Sequence, residues 1–338
     1  MKELTIRQTE AGQRLDKFLS RCLPGAGQGF LYKMLRKKNI VLNDHKAGGR
    51  ELLAAGDRVK LYFSDETFAK FAKVAQEEGP ILEKGYVLYE DDQLILVNKP
   101  AGMLSQKARP SDISLTELLT AYLNRQGVAS HQGVRVFQPG ICNRLDRNTS
   151  GIVLAGKNLA VTRELSRMLS DRSLQKYYLC LVRGRLQEEG HIFGYLTKNP
   201  ATNRVRILKS PTPDSSPIET SYQPLAGNEE GTLLKVHLIT GKTHQIRSHL
   251  ASIGHPLAGD PKYGDPAYNR HCQQKLGLSR QFLHAWQLVF PPLQGEEEIL
   301  NAVSDMTFTA ALPGDLKKVM EAAGFCDRDC TGSLGGLL

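Results

Sequence analysis

The sequence predicts an α+β protein, because strand periodicity and helical periodicity both recur along its 338 residues. Apolar and polar residues alternate, as in half-buried strands, at 59–63, 176–182 and 233–238. Apolar residues recur at helical spacing at 15–22, 115–123 and 159–170. A chain of this length can bury a sizeable core and is expected to hold two domains.

The composition is that of a globular protein, with 41% hydrophobic and 23% charged residues, and the net charge is +9. This excess of positive charge suggests a polyanionic partner. The six cysteines include no C-x-x-C pair, which argues against a zinc site and for a reducing compartment. Cys326 and Cys330 are expected to be free thiols in a frayed tail. No signal peptide and no apolar run of the ~20 residues that cross a bilayer is evident, so we expect a cytoplasmic protein.

The N-terminal segment predicts two helices followed by short strands. The first helix begins at Arg14 and the second runs from about Phe30 to Lys38. A turn is predicted at Asn43-Asp44, after the strand Ile40–Leu42. The second helix carries a basic cluster, consisting of Lys33, Arg36, Lys37 and Lys38. Taken alone, this cluster is a solvated helix face that also suits the helix dipole.

Residues 14–62 resemble the S-four-like (alpha-L) RNA-binding module in R-L-D-K-F-L, V-L-N and G-D-R-V. The resemblance implies a small α/β RNA-binding domain over residues 1–64. The basic cluster would then lie against RNA phosphates, giving salt-sensitive affinity without reading sequence. Residues 65–84 are predicted to be a linker with room for one short helix.

The stretch 143–151 reads N-R-L-D-R-N-T-S-G and places Asp146 between Arg144 and Arg147. Nearby positive charge favours an ionised carboxylate, which can serve as a nucleophile or a general base. For a bare R-x-D-R pattern, a surface loop with a local ion pair is the alternative interpretation.

A second polar stretch, T-G-K-T-H-Q-I-R at 240–247, follows a predicted strand and opens a helix. The three nearby histidines, His244, His249 and His255, lack the spacing of a metal-binding pair on one helix face, so we expect no metal. No phosphate-binding or dinucleotide-binding glycine motif is present, so no nucleotide cofactor is expected. Residues 185–230 are compatible with a peripheral RNA-facing hairpin or with a solvated insertion.

Residues 143–151 resemble the H-R-L-D-R-x-T-S-G signature of the RluA-type pseudouridine synthases. The stretch from Thr240 to Gly264 resembles that family's T-G-R-T-H-Q-I-R-x-H-L-A…G-H-P-I-x-G-D…Y-G block. Similar matches are N-K-P-A-G at 98–102, K-x-Y at 176–178 and L-H-A at 283–285. The chain departs from the family pattern in having Asn143 for histidine, Ser105-Gln106 for H-P, Cys180 for alanine and Lys242 for arginine.

The resemblance implies a pseudouridine synthase fold over residues 85–310, with a mixed, mostly antiparallel sheet and a central cleft. A C-terminal helix and a flexible tail would occupy 311–338. It also implies that Asp146 is the catalytic aspartate, that Arg247 pairs with it and that Tyr178 stacks on the target base. The implied substrate-binding residues are Arg144, which would replace the flipped base, Ile246 as a pocket wall, and Arg147, Lys176, Thr243 and Gln245.

The implied activity is the isomerisation of uridine to pseudouridine in RNA, without a cofactor and after the base has been flipped out. The module in front favours large-subunit ribosomal RNA over tRNA as the substrate, and we expect a monomer. Two other classes stay open at this point. One is a non-catalytic RNA-binding assembly factor that keeps the fold, and the other is a metal-dependent nuclease or hydrolase.

Overall fold

The computed structural model describes residues 1–72, 80–128, 130–131, 134–293 and 299–325, which form two compact units. The first unit holds residues 1–96, 106–143 and 154–167, and the second holds 97–105, 144–153 and the chain from 168 onward. Cys326, Cys330 and the predicted flexible tail lie outside the described residues. Within the described ranges, no helix is long and apolar enough to cross a membrane.

The first unit contains most of the elements up to residue 170. Its helices are α1 Leu15–Cys22, α2 Gln28–Arg36, α3 Asp65–Ala72, α4 Leu115–Arg125 and the start of α5 Leu159–Ser170. Its strands are β1 Lys2–Thr5, β2 Ile40–Leu42, β3 His45–Lys46, β4 Arg58–Leu61, β5 Val87–Glu90, β6 Leu94–Lys99, β7 Ser130–His131, β8 Val134–Arg135, β9 Gly140–Ile141 and β10 Ser150–Gly156. Both β6 and β10 have residues in each unit.

The N-terminal elements follow the sequence periodicity. An antiparallel sheet in the order β1-β4-β2-β3 packs with α1 and α2 around a core that includes Leu15, Phe18 and Leu35. The predicted turn joins β2 to β3 with positive φ at Asn43 and Asp44, a conformation that these residue types tolerate in tight hairpins. Helix α3 lies in the segment predicted as a linker, and residues 73–79 of that segment lie outside the described ranges.

The second unit is built on a mixed sheet, in the order β13-β12-β14-β15-β11-β16 and then the first half of β10. Its strands are β11 Gln175–Arg183, β12 Gly190–Asn199, β13 Arg204–Leu208, β14 Ser216–Gly227, β15 Gly231–Leu238, β16 Leu283–Val289 and β17 Thr307–Thr309. Its helices are α6 Gln245–Ser252, α7 Pro266–Leu276 and α8 Gly314–Ala322. Pairing is antiparallel except between β10 and β16, so the prediction of a mixed, mostly antiparallel sheet is confirmed.

Two parts of the second unit go beyond the predicted elements. Residues 190–208 form a hairpin of β12 and β13, which gives a definite structure to a segment that the sequence left open. Helix α7 was not predicted, because only Cys272 among its residues is buried and its apolar periodicity is correspondingly weak. Helices α7 and α8 help to enclose a core that includes Leu181, Phe282 and Leu316.

Gly151 fixes the start of β10 against β16. It pairs with Ala285 in the parallel register and has a φ of +113°, a conformation that L-residues with side chains rarely adopt. A Cβ at this position would lie 2.1 Å from the carbonyl oxygen of Ala285. A Cβ is fixed to its own backbone, and the clashing carbonyl is part of the backbone of Ala285. No change of side-chain rotamer can therefore relieve this clash. Glycine is therefore required at the end of the 143–151 stretch.

We expect Gly151→Ala to lower the free energy of unfolding by about 3 kcal/mol or more, because overpacking and backbone strain add. Urea unfolding followed by circular dichroism would measure this loss. Gly277→Ala is the matched control: its φ is +70°, but no described heavy atom lies within 4 Å of the added Cβ. The control should lose only about 1 kcal/mol. Equal losses in the two variants would contradict the steric explanation.

Candidate active site

Leu145, next to Asp146, is held by the side chain of a single serine. The Ser105 hydroxyl donates to the Leu145 carbonyl at 2.7 Å and accepts from the Leu145 N–H at 3.0 Å. Ser105 is buried, so its hydroxyl pairs backbone groups of Leu145 that would otherwise need hydrogen bonds to water. Ser105 is one of the positions where the chain departs from the family pattern, and the departure therefore has a structural role.

The other side of Asp146 is bound to the loop that follows β6. The Arg147 carbonyl accepts from the Gly102 N–H at 2.8 Å and from Lys99 Nζ at 3.2 Å. Lys99 also donates to the carbonyls of Pro100, at 2.9 Å, and Met103, at 2.8 Å, and it is fully buried. Burial and the nearby Arg280 lower the pKa of Lys99 to about 7, while three carbonyl acceptors favour its charged form. Lys99 thus joins the two loops from inside.

The end of the 143–151 stretch is equally fixed. Arg280 donates to the Asn148 carbonyl at 3.0 Å and is paired with Asp315. His284 lies between the Ser150 hydroxyl, 2.9 Å from Nδ1, and the Ala310 carbonyl, 3.1 Å from Nε2. Nε2 must carry the proton, because a carbonyl can only accept, so Ser150 donates to Nδ1. Burial lowers the pKa of His284 to about 4 and keeps this arrangement neutral.

Asp146 is bonded to a buried arginine from helix α6. Arg247 Nη1 donates to Asp146 Oδ2 at 2.8 Å, and the Asp146 side chain remains 26% exposed. On its other edge, Arg247 donates through Nε and Nη2 to the two carboxylate oxygens of Asp260, both at 2.7 Å. This bidentate pair fixes the guanidinium plane and aims the remaining nitrogen at Asp146.

The electrostatics of this trio favour a permanent cation. Burial opposes the charge on Arg247, but the hydrogen bonds and charges of Asp260 and Asp146 outweigh it and raise the pKa of Arg247 above its ordinary value. Burial likewise opposes the charge on Asp260, while Arg247 and the N–H groups of Lys262 and Tyr263 keep its pKa low. Arg247 therefore presents a fixed positive charge to Asp146.

Two predicted pocket residues, Tyr178 on β11 and Ile246 on α6, are buried. Burial and the negative charge of Asp146 raise the pKa of Tyr178, so its phenol is neutral at physiological pH. The stacking of either residue on a base stays a prediction.

The remaining predicted residues divide into exposed and internal ones. Arg144 and Thr243 are exposed, and Lys176 is largely buried, which lowers its pKa. Arg147 donates through its guanidinium to the Gly102 carbonyl at 3.0 Å, so the arginine that bonds Asp146 is Arg247 and not this sequence neighbour.

Gln245, another predicted substrate-binding residue, is hydrogen-bonded inside the protein. It is buried, and its amide bonds Thr240, Lys242, Glu219 and Thr220. These bonds give Gln245 a role in holding the turn before α6. Its contact with substrate stays a prediction.

Sequence reasoning missed Asp260, Tyr263, Ser105 and the structural role of Lys99. Asp260 and Tyr263 stand in the matched G-H-P…G-D…Y-G block, so a signal was present, but their partners are distant in sequence. The three histidines weighed as metal ligands each have a different partner: His249 faces Thr220, His255 faces the Arg183 carbonyl and His244 faces Tyr263. Among the described residues, no group of three or more histidine, cysteine or acidic side chains could hold a metal ion.

We expect Ser105→Ala to lower the free energy of unfolding by about 1–3 kcal/mol, because two buried backbone groups of Leu145 lose their partner. Urea unfolding of the full chain would measure the change. Ser166→Ala, at an exposed serine that also bonds a carbonyl, is the control and should stay within about 0.5 kcal/mol of wild type. A loss at Ser105 no larger than the control loss would refute the proposed clamp.

Comparison with known proteins shows which family this chain belongs to. The family model for RNA pseudouridylate synthase matches residues 93–252. A Pasteurella multocida protein named ribosomal large subunit pseudouridine synthase C is 35% identical over 90% of this chain and 91% of its own length. A Nitrosomonas europaea protein named ribosomal large subunit pseudouridine synthase D is 32% identical over 95% of this chain and 87% of its own length.

A solved structure supports the fold. Human RNA pseudouridylate synthase domain containing 4 superposes with a TM-score of 0.55 at 21% identity, over 70% of this chain and 92% of that one. The identity and coverage of the bacterial relatives show more than a common fold. The chain belongs to the RluA-type RNA pseudouridine synthases.

Proposed function

We propose that this pseudouridine synthase acts on large-subunit ribosomal RNA and that Asp146 is its catalytic carboxylate. The observation that carries the proposal is the hydrogen bond between Asp146 and the buried, doubly paired Arg247. The printed names of the Pasteurella and Nitrosomonas relatives support the ribosomal substrate.

The reaction moves uracil from an N1 to a C5 glycosidic bond, so a C–N bond must break and a C–C bond must form. Asp146 can act in either of two ways: by attacking C1′ of the ribose, or by abstracting a sugar proton to give a glycal. Both need an ionised carboxylate in a fixed position. The cation of Arg247 favours the ionised form of Asp146. The hydrogen bonds of Leu145 and Arg147 to residues 99–105 fix the position of Asp146.

The target uridine must leave its stack before either step, at a cost of a few kcal/mol. Arg144 is exposed beside Asp146 in the chain, and we assign it the space that the flipped base vacates. Tyr178 and Ile246 would enclose the uracil. A neutral Tyr178 suits this role, because an uncharged ring stacks on a base without adding charge beside Asp146.

The basic cluster at the C-terminal end of α2, whose last two residues Lys37 and Lys38 follow the helix, is proposed to bind RNA phosphates. Its four side chains, Lys33, Arg36, Lys37 and Lys38, are all exposed. Exposed lysine and arginine gain affinity for RNA by releasing counterions, which requires no base contact. An RNA substrate of this kind also places the protein in the cytoplasm, and we expect it to act as a monomer.

The alternative of a non-catalytic RNA factor had its best support in Asn143, where the family commonly has histidine. The Asn143 amide oxygen accepts from the Leu154 N–H at 2.8 Å, which makes it a backbone contact of the strand. The change of residue therefore bears on local structure and gives the non-catalytic alternative little support.

Asp146→Asn should reduce pseudouridine formation by at least about 1,000-fold, because the amide cannot act as a nucleophile or base. Release of tritium from ribosomal RNA carrying 5-tritiated uridine, measured with chelator present, reports the reaction directly. RNA binding by the variant should stay within about threefold of wild type, because one partly exposed charge changes.

Asp214→Asn, at an exposed position between β13 and β14, is the matched control and should keep full activity. Near-normal release by Asp146→Asn would remove Asp146 from the reaction. Release from tRNA but not from ribosomal RNA by the wild type would overturn the substrate assignment.

Replacing Lys37 and Lys38 together by glutamine should weaken RNA binding and flatten its dependence on salt, by a slope of about 0.7 for each phosphate that is no longer neutralised. Binding to a ribosomal RNA fragment at several salt concentrations measures both quantities. Replacing the exposed Lys318 by glutamine controls for the general loss of positive charge. An unchanged salt slope in the double variant would show that the basic cluster does not bind phosphate.

A further inference from the structure

His244 occupies a strained position beside Asp146. It immediately precedes α6, with φ 53° and ψ 20°, and its ring is 8% exposed. A residue with a side chain pays about 1–2 kcal/mol for this left-handed conformation. Such strain persists where surrounding contacts enforce it, and functional sites are enriched in it. In this conformation, His244 Nε2 lies 3.9 Å from Asp146 Oδ2.

A chain of hydrogen bonds reaches the Nδ1 atom of the His244 ring. The Val205 N–H donates to the Tyr263 hydroxyl oxygen at 2.8 Å, and this oxygen lies 3.0 Å from His244 Nδ1. The hydroxyl accepts from Val205 and has one proton of its own to donate. When this proton is donated to Nδ1, the proton of a neutral His244 ring is on Nε2, the nitrogen that faces Asp146.

The charges around His244 keep the ring neutral. Burial lowers the pKa of His244, and the cations Arg247 and Lys262 lower it further, against the raising effects of Asp146 and Asp260. A neutral ring has a single proton to place. Tyr263 is itself held in position, because its ring also lies under the Arg247 guanidinium at 5.3 Å.

We propose that His244 is a positioning residue for the catalytic carboxylate, donating Nε2–H to Asp146 in a tautomer that Tyr263 and the Val205 backbone fix. This inference rests on the proposed role of Asp146. Arg247 contributes one N–H to Asp146 Oδ2, which leaves the carboxylate free to turn about that contact. A second donor on the same oxygen, from His244, narrows the range of positions that Oδ2 can take, and it does so without a second charge that would weaken the carboxylate as a nucleophile or base.

The separation of 3.9 Å is longer than a hydrogen bond. Catalytic hydrogen bonds are often long in the absence of substrate and shorten in the complex. The proposed contact therefore forms fully when the uridine occupies the site. Its effect should accordingly be on turnover more than on RNA affinity.

Three variants test this role by tritium release under saturating and limiting RNA. His244→Leu should lower kcat by about 10- to 100-fold, the range for partners that orient a reacting group, with KM within about threefold of wild type. His244→Gln can present an amide N–H near the position of Nε2. Its kcat should therefore be at least about tenfold higher than that of His244→Leu. His255→Leu is the control, since this ring bonds the Arg183 carbonyl, and it should match wild type.

The tautomer can be observed without any activity. In full-length protein with ¹⁵N-labelled histidine, His244 should show a protonated Nε2 and an unprotonated Nδ1. Tyr263→Phe should remove the donor to Nδ1 and yield a mixture of tautomers. Asp146→Asn should leave the tautomer unchanged, because Tyr263 sets it.

The outcomes separate the two proposals. If Asp146→Asn keeps its activity, the proposed function fails, whatever the NMR result. If Asp146→Asn is inactive but His244→Leu turns over normally, or if glutamine is no better than leucine, the role of His244 alone is refuted. A proton on Nδ1 in the wild type would also overturn it.

Discussion

The second unit depends on one buried cation. Arg247 can be buried because Asp260, which is fully buried, gives it two charge-assisted hydrogen bonds, and Asp146 gives it a third. Removing one partner of such a set leaves an uncompensated buried charge, which is strongly destabilising. The geometry of the candidate site is therefore a condition of folding. A site held in this way needs little reorganisation when the substrate arrives.

Asp146 itself is attached to the protein through the backbone of its neighbours. Ser105 holds Leu145, Lys99 and Gly102 hold Arg147, and the contacts are hydrogen bonds to carbonyl and N–H groups. Such bonds fix the position of the main chain independently of the conformations of the side chains in the loop. Arg144 and Asp146 thus keep exposed surface while the backbone of Leu145 between them is held by Ser105.

The strands and helices were largely predictable from the sequence. The spacing of apolar residues within a short segment shows whether one face of a helix or of a strand is buried. The capping box of α4, formed by Ser114 and Glu117, is also a local feature, because its two residues lie three apart in the chain. The contact between Asp146 and Arg247, 101 residues apart, was expected only from the family resemblance. Helix α7 was missed because it buries little.

The rest of the site could not be derived from the sequence, for physical reasons. A lysine in a strand-end turn reads as exposed, since the usual cost of burying an amine is high. Lys99 offsets that cost by donating to the carbonyls of residues 100, 103 and 147. The periodicity of the sequence does not show that these three carbonyls come together around the amine. Likewise, the pairing of Tyr263 with the backbone of Val205 depends on how a hairpin lies against a loop, which tertiary structure alone decides.

Full burial of Lys99 has a consequence for the covalent chemistry of the protein. Its amine is out of contact with solvent, so reagents and enzymes that acylate lysine will meet the exposed amines of α2 and pass over this one while the loop is folded. An acetyl group would also leave one N–H where three carbonyls need donors. Acylation at residue 99 would thus mark molecules in which the Asp146 loop had opened, and it would prevent that loop from closing again.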